Sequence, residues 1–223
     1  MKKYFSTLIL ACTCSMLVMA QGTLVDGNNQ PWRVNNPEGR VNGTPMLSVD
    51  WGLGYVILKN GKKADSVTMN VDLEYHRPLY TLAGVVYEFA DSVKECEFTY
   101  IENGVEKTAF FRSGYPVIEK RKEFALYQVL AEGPKYELLD YSDKKPTERR
   151  SSFNGPMMIY YEIYSQLYIY DPGTNTMRKI KAKRSSVMEA LPGKEEAIDK
   201  ICRENNLDLK SAEQIAILIS KLQ

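Results

Sequence analysis

The sequence predicts an α+β protein: a mainly antiparallel β-sheet, either a sandwich or an open barrel, followed by two to three C-terminal helices. Three observations predict it. Apolar residues alternate with a period of two through much of residues 51 to 184. Turn pairs such as Asn60-Gly61 and Asn103-Gly104 punctuate those runs. From Ser185 to the end the apolar spacing becomes helical. Strands first and helices last is the order of a segregated α+β chain.

The chain opens with Lys2 and Lys3, an apolar run from Tyr4 to Met19, and Val18-Met19-Ala20 before Gln21. This is the layout of a secretory signal peptide over residues 1 to 20, with cleavage between Ala20 and Gln21. A spanning helix needs about 20 apolar residues, and Ser6, Thr7, Thr13 and Ser15 interrupt this run. Ile9-Leu10-Ala11-Cys12 loosely resembles a lipobox, so lipidation at Cys12 stands as a rival to cleavage after Ala20. Only eight residues separate Lys3 from Cys12, which favours cleavage. The expected location is exported: periplasmic, outer-membrane-associated or extracellular.

Residues 21 to 50, rich in Asn, Gly and Pro, read as an irregular leader. The antiparallel domain then spans residues 51 to 184. Tyr55 to Lys59 is a β-branched and aromatic strand ending at Asn60-Gly61, and Ser66 to Leu73 alternates Val67, Met69, Val71 and Leu73 against polar residues. Leu79 to Leu82 and Val85 to Phe89 flank Ala83-Gly84. Val93 to Ile101 and Val105 to Arg112 form a two-residue hairpin that sets Cys96 opposite Phe111, Phe98 opposite Ala109 and Tyr100 opposite Lys107. Phe124 to Ala131 and Lys135 to Tyr141 are apolar on both faces, as expected of central or helix-covered strands. Asp143 to Arg150 reads as a charged loop. Met158 to Tyr170 and Met177 to Ala182 pair around Asp171-Pro172-Gly173.

In the helical segment, residues 185 to 223, Ser186 and Glu189 suggest a capping box for a short helix ending before Pro192-Gly193. A second helix spans about Lys194 to Glu204, and a third starts at Ser211 with Gln214 as its box partner. Ile215, Leu218, Ile219 and Leu222 fall on one stripe, which needs the sheet or another helix as its partner.

Without the first 20 residues the 223-residue chain leaves 203, enough for one domain with a sizeable core. Loss of Lys2 and Lys3 reduces 29 basic residues to 27, against 28 acidic ones, for a formal charge of −1. That balance argues against nucleic acid as a partner. No further segment is apolar and long enough to span a bilayer. Cys96 and Cys202 remain after cleavage, as a possible disulfide or as two buried hydrophobes.

Sequence motifs assign no catalytic residue, metal ligand or cofactor. His76, the single histidine, sits beside Arg77-Pro78 and reads as an exposed polar turn. There is no Gly-x-Ser-x-Gly elbow, no zinc spacing and no P-loop. Tyrosine is abundant, with 15 copies, and alternation puts Tyr160, Tyr164, Tyr168 and Tyr170 on one strand face with Glu162 and Gln166. Tyr160, Tyr164 and Tyr168 are candidate ligand-binding residues, because a tyrosine ring stacks on a sugar while its hydroxyl bonds. The competing reading is cross-strand packing beneath the helices. The basic run Arg178 to Arg184 reads as a solvated edge. Asn42-Gly43-Thr44 matches an N-glycosylation acceptor, while Asp65-Ser66-Val67 and Asp91-Ser92-Val93 resemble an O-glycosylation acceptor of some Gram-negative exported proteins.

Three stretches carry a resemblance: Gly54-Tyr55-Val56-Ile57-Leu58-Lys59-Asn60-Gly61-Lys62, Tyr127-Gln128-Val129-Leu130-Ala131-Glu132-Gly133, and Leu191-Pro192-Gly193-Lys194-Glu195-Glu196 through Leu222. They are similar to uncharacterised exported β-rich proteins of Gram-negative bacteria that finish in a short helical tail. The resemblance covers most of residues 54 to 222 and implies no activity. The expectation is an exported cell-envelope protein that is non-enzymatic and binds an envelope protein or component. Its alternatives are a glycan-binding module using the aromatic strand face, and a hydrolase whose carboxylates come together only in the fold.

Overall fold

A computed structural model describes residues 41–121 and 124–222. Cys12, Ala20, Gln21 and most of the expected leader lie outside the described residues. Within them the chain is mostly strand, followed by three helices. The strands are β1 (Val41–Asn42), β2 (Gly52–Leu58), β3 (Lys63–Asp72), β4 (Arg77–Leu82), β5 (Val85–Glu88) and β6 (Val93–Glu102). They continue as β7 (Val105–Arg112), β8 (Tyr127–Glu132), β9 (Glu137–Arg150), β10 (Met157–Asp171) and β11 (Thr176–Ile180). The helices are α1 (Arg184–Ala190), α2 (Glu195–Asn205) and α3 (Ala212–Lys221).

All 11 strands belong to one sheet, ordered β1-β10-β9-β8-β7-β6-β2-β3-β4-β5, with β11 also on β10. Every pairing is antiparallel except β1 with β10, so the sheet is mixed. It curls into an open half-barrel. The curl brings strands that are remote in the order together: Lys144 N–H in β9 donates to the Leu73 carbonyl just after β3 at 3.1 Å. Of the two architectures expected, the open barrel is the one formed.

Local chemistry sets most of the pairings. Asn103 and Gly104 both take positive φ (53° and 77°), the type I′ geometry whose twist suits a hairpin. The register follows, with Cys96 opposite Phe111, Phe98 opposite Ala109 and Tyr100 opposite Lys107, as the loop length predicts. At the β10–β11 turn, Asp171 Oδ1 accepts from Gly173 and Thr174 N–H at 2.9 and 3.3 Å.

Three hydrophobic clusters hold the fold. One joins β2, β3, β6 and β7 through Val56, Met69, Cys96, Phe98 and Phe111. A second lies between the helices and one face of the β8–β11 region, where Leu138, Leu167, Ile169 and Ile180 meet Ile198, Ile215, Leu218 and Ile219. The third occupies the opposite face of β8 to β10, where Tyr127, Leu139, Tyr141 and Tyr168 pack with Tyr115. Leu138 and Leu139, adjacent and both fully buried, show why this region is apolar on both faces. Ile215, Leu218, Ile219 and Leu222 are all fully buried, as their spacing predicts. Ser211 caps α3 by accepting from Gln214 N–H at 3.4 Å.

Three expectations need correction. Asp143 to Arg150 is not a loop: it extends β9 and pairs with β10 as far as Arg150 opposite Met157. Pro146 is tolerated because β8 ends its pairing with β9 at Asp140, leaving this stretch of β9 as an edge paired only with β10. The segment expected as irregular leader contributes β1, and Met46, which bridges to Asp72, is buried. Ser186 does not cap α1, because the helix starts at Arg184; its hydroxyl instead accepts from Lys181 N–H at 3.0 Å.

Candidate functional site

The candidate site grows out of the turn between β3 and β4. Asp72 ends β3 fully buried, and its carboxylate organises the turn. Oδ1 accepts from the backbone N–H of Glu74 and Tyr75 at 2.9 and 3.1 Å, while Oδ2 accepts from Arg77 Nε at 3.4 Å. His76 then takes a positive φ of 52°, which a histidine tolerates better than most residues.

That backbone, with the curl of the sheet, carries the His76 ring onto β9. It stacks on Tyr141 with centroids 4.2 Å apart, and Nε2 lies 2.5 Å from Asp143 Oδ1. A carboxylate only accepts, so the neutral ring donates from Nε2 and keeps Nδ1 as an acceptor. Desolvation by burial lowers the imidazole pKa and outweighs the opposing pull of Asp143, so His76 is neutral at pH 7. The expected exposed turn residue is therefore a partly buried, hydrogen-bonded ring.

Behind it, Arg121 packs over Tyr141, its guanidinium carbon 3.5 Å from the ring centroid. It donates to Tyr168 Oη at 2.7 Å and to Gln166 Oε1 at 3.1 Å. Glu119 joins the same network by accepting from Tyr168 Oη at 3.2 Å and Lys179 Nζ at 2.9 Å. Burial raises the pKa of the Tyr141 and Tyr168 phenols, so both remain protonated donors. This network fastens the segment between β7 and β8 to the sheet.

In front of His76 lies a cleft of about 500 Å³, lined among others by Tyr75, Arg77, Glu88, Asp91, Ser92 and Phe124. Arg77 donates to Glu88 at 2.9 Å and packs 5.0 Å from the Tyr75 ring centroid. Tyr75 is 63% exposed and Phe124 37% exposed, with Lys59 Nζ 3.6 Å from the Phe124 ring centroid. The cleft thus offers two accessible aromatic rings, a charged pair, a carboxylate, a hydroxyl and an imidazole acceptor. Such a surface can orient a polar ligand. Among the described residues no hydroxyl or thiol is hydrogen-bonded to His76, and no group of three or more His, Cys, Asp or Glu is placed to hold a metal ion.

The tyrosines expected to form a binding row are not brought together as one. Tyr168 is fully buried, packed edge-on against Tyr127 with centroids 5.7 Å apart. It lies on the sheet face opposite the helices, whereas its neighbours Leu167 and Ile169 pack beneath them. Tyr164 is 48% exposed on the projecting arm and donates to Glu162 at 2.7 Å, while Tyr160 is half-buried. The row is broken because β10 leaves the core at about Gln166, so one strand face passes from interior to surface. Cys96 and Cys202 are both free and buried in different clusters, so no disulfide joins them.

That Tyr75, Arg77, Glu88, Asp91 and Phe124 share one cleft escapes a sequence reading because they come from separate segments. His76 and the Asp91-Ser92-Val93 motif are the cleft residues that stood out in the sequence. No helix among the described residues is long and apolar enough to cross a membrane. No family model matches the chain, and neither the curated proteins nor the solved structures yield a significant match.

Proposed function

We propose that this is an exported cell-envelope binding protein whose cleft beside the β3–β4 turn takes a glycan-like ligand. The observation that carries this reading is the placing of exposed Tyr75 and Phe124 around the same cleft as Arg77, Glu88 and Asp91. Aromatic rings offer flat apolar faces to sugars, and the polar groups supply the hydrogen bonds that fix orientation. The basic start, apolar run and Ala20-Gln21 junction support export. The aromatic platform is moved by this reading from the β10 row to the cleft.

A glycan array with the mature chain, followed by titration calorimetry on the best ligand, tests it. Tyr75→Ala and Phe124→Ala are expected to weaken binding roughly 5- to 150-fold each, since each removes on the order of 1–3 kcal/mol of ring contact. Unaltered circular dichroism would show that the fold survives. No bound glycan, or variants that bind as the parent does, would sink the reading.

The His76–Asp143 pair favours one further reading, a hydrolase in which Nδ1 of neutral His76 acts as general base on a water. Release of reducing ends from a bound oligosaccharide, abolished by His76→Asn, would select it over simple binding.

A further inference from the structure

The triplet Asp-Ser-Val occurs twice, as Asp65-Ser66-Val67 in β3 and as Asp91-Ser92-Val93 leading into β6. The fold gives the two copies the same presentation. Both serines are exposed and both following valines are buried. Neither serine hydroxyl is hydrogen-bonded to another described residue. Both sit where the backbone departs from a regular ladder. Ser66 has φ of 57° and, with Asp65, faces the single residue Tyr55 between the pairs Gly54–Val67 and Val56–Ala64, a bulge. Ser92 sits between the bend at Ala90–Asp91 and the start of β6, its N–H donating to Asp91 Oδ1 at 2.7 Å.

We infer that Ser66 and Ser92 are acceptors for O-linked glycosylation by a transferase of the envelope, using a lipid-diphosphate-linked sugar as donor. Serine Oγ bonds to the anomeric carbon as the bond from that carbon to the phosphate oxygen breaks. The lipid diphosphate leaves with the electron pair, and the hydroxyl proton passes to a base of the transferase. An anchored valine and an irregular backbone leave each serine exposed, Ser92 on the lining of the cleft, which is what a second protein needs in order to reach the hydroxyl. At Ser66 the sugar also has a structural consequence. β4 pairs with β3 only over Met69–Asp72, so the edge of β3 beside Ser66 has no neighbouring strand among the described residues. A hydrated glycan there shields that edge from pairing with another chain.

This inference rests on the exported reading, and one measurement separates the two. The protein is isolated from envelope fractions of its native host and analysed by intact mass and by peptide sequencing. A chain beginning at Gln21, or at a modified Cys12, reports export. Added mass equal to whole sugar residues is expected on the peptides carrying Ser66 and Ser92. Ser66→Ala and Ser92→Ala should each remove the addition at its own site and leave the circular dichroism unchanged. A processed chain at its bare mass overturns glycosylation and leaves export standing. A chain retaining residues 1–20 overturns both.

Discussion

A Cβ placed on Gly133 would lie 2.0 Å from the carbonyl oxygen of Ile219. The β8–β9 turn and the C-terminal half of α3 thus meet backbone to backbone, at a distance only glycine allows. The same turn is closed by Gly133 N–H donating to the Tyr136 carbonyl at 2.9 Å. Gly133→Ala must push α3 off the sheet or open the turn. The expected loss is about 1–3 kcal/mol, the usual range for overpacking. Urea unfolding monitored by circular dichroism measures it, and an unchanged midpoint would contradict this account of the docking.

His76 should make stability depend on pH in a direction fixed by its environment. Burial lowers its folded pKa below the ordinary value of 6.5. The unfolded chain therefore binds a proton first on acidification, and stability falls as pH drops below about 6.5. Above that pH both states are neutral and this contribution is constant. His76→Asn keeps a side chain suited to positive φ and removes the titration. Its thermal midpoint should vary less than the parent's between pH 7 and pH 5.5; equal slopes would argue that His76 is not buried as described.

Ala83 and Gly84 form the two-residue connection between β4 and β5, and Ala83 has φ of 51°. An alanine is disfavoured in that conformation by roughly 1–2 kcal/mol. Ala83→Asn should recover about 0.5–1 kcal/mol by restoring the Asn-Gly pairing that such hairpins prefer. Thermal melts at fixed pH decide it, the expected change being a higher midpoint.

Cys96 and Cys202 should behave as two inert thiols. Burial pushes up the pKa of both, so the reactive thiolate is scarce in the folded state. A thiol reagent should label neither quickly in buffer and both in guanidinium without reductant. Failure to label in guanidinium would mean that they are paired after all.

The β6–β7 hairpin was legible because Asn103-Gly104 and the alternation around it are neighbours in sequence. The α3 stripe was legible for the same reason: Ser211, Gln214 and Ile215 to Leu222 carry cap and period within a few turns. The arm of β9 was not, since Pro146 and six charged residues between Asp143 and Arg150 imitate a loop. Only the length of the facing β10 rescues them as a strand. The cleft was least legible. His76 reaches Tyr141 and Asp143 solely through the curl of the sheet, and no spacing along the chain encodes that curl. The tyrosine row failed for a related reason: alternation assigns a face, but the same face of β10 is interior at Tyr168 and surface at Tyr164.

The strand order has a consequence for how quickly the chain can reach this state. β3, β4 and β5 follow one another in sequence and in space, and so do β6 through β11. Each series can therefore zip by hairpin formation alone. Apart from the short parallel pairing of β1 with β10, the two ladders are joined by one strand pairing, β2 against β6, where Leu53 faces Thr99. Closing that pairing brings together residues far apart in sequence, a slower step than zipping a hairpin. Gly54 lies in that pairing, and an added Cβ there would stand 1.8 Å from the Glu97 carbonyl oxygen. The missing side chain is then a kinetic feature as much as a packing one: it lets two independently formed ribbons slide into register.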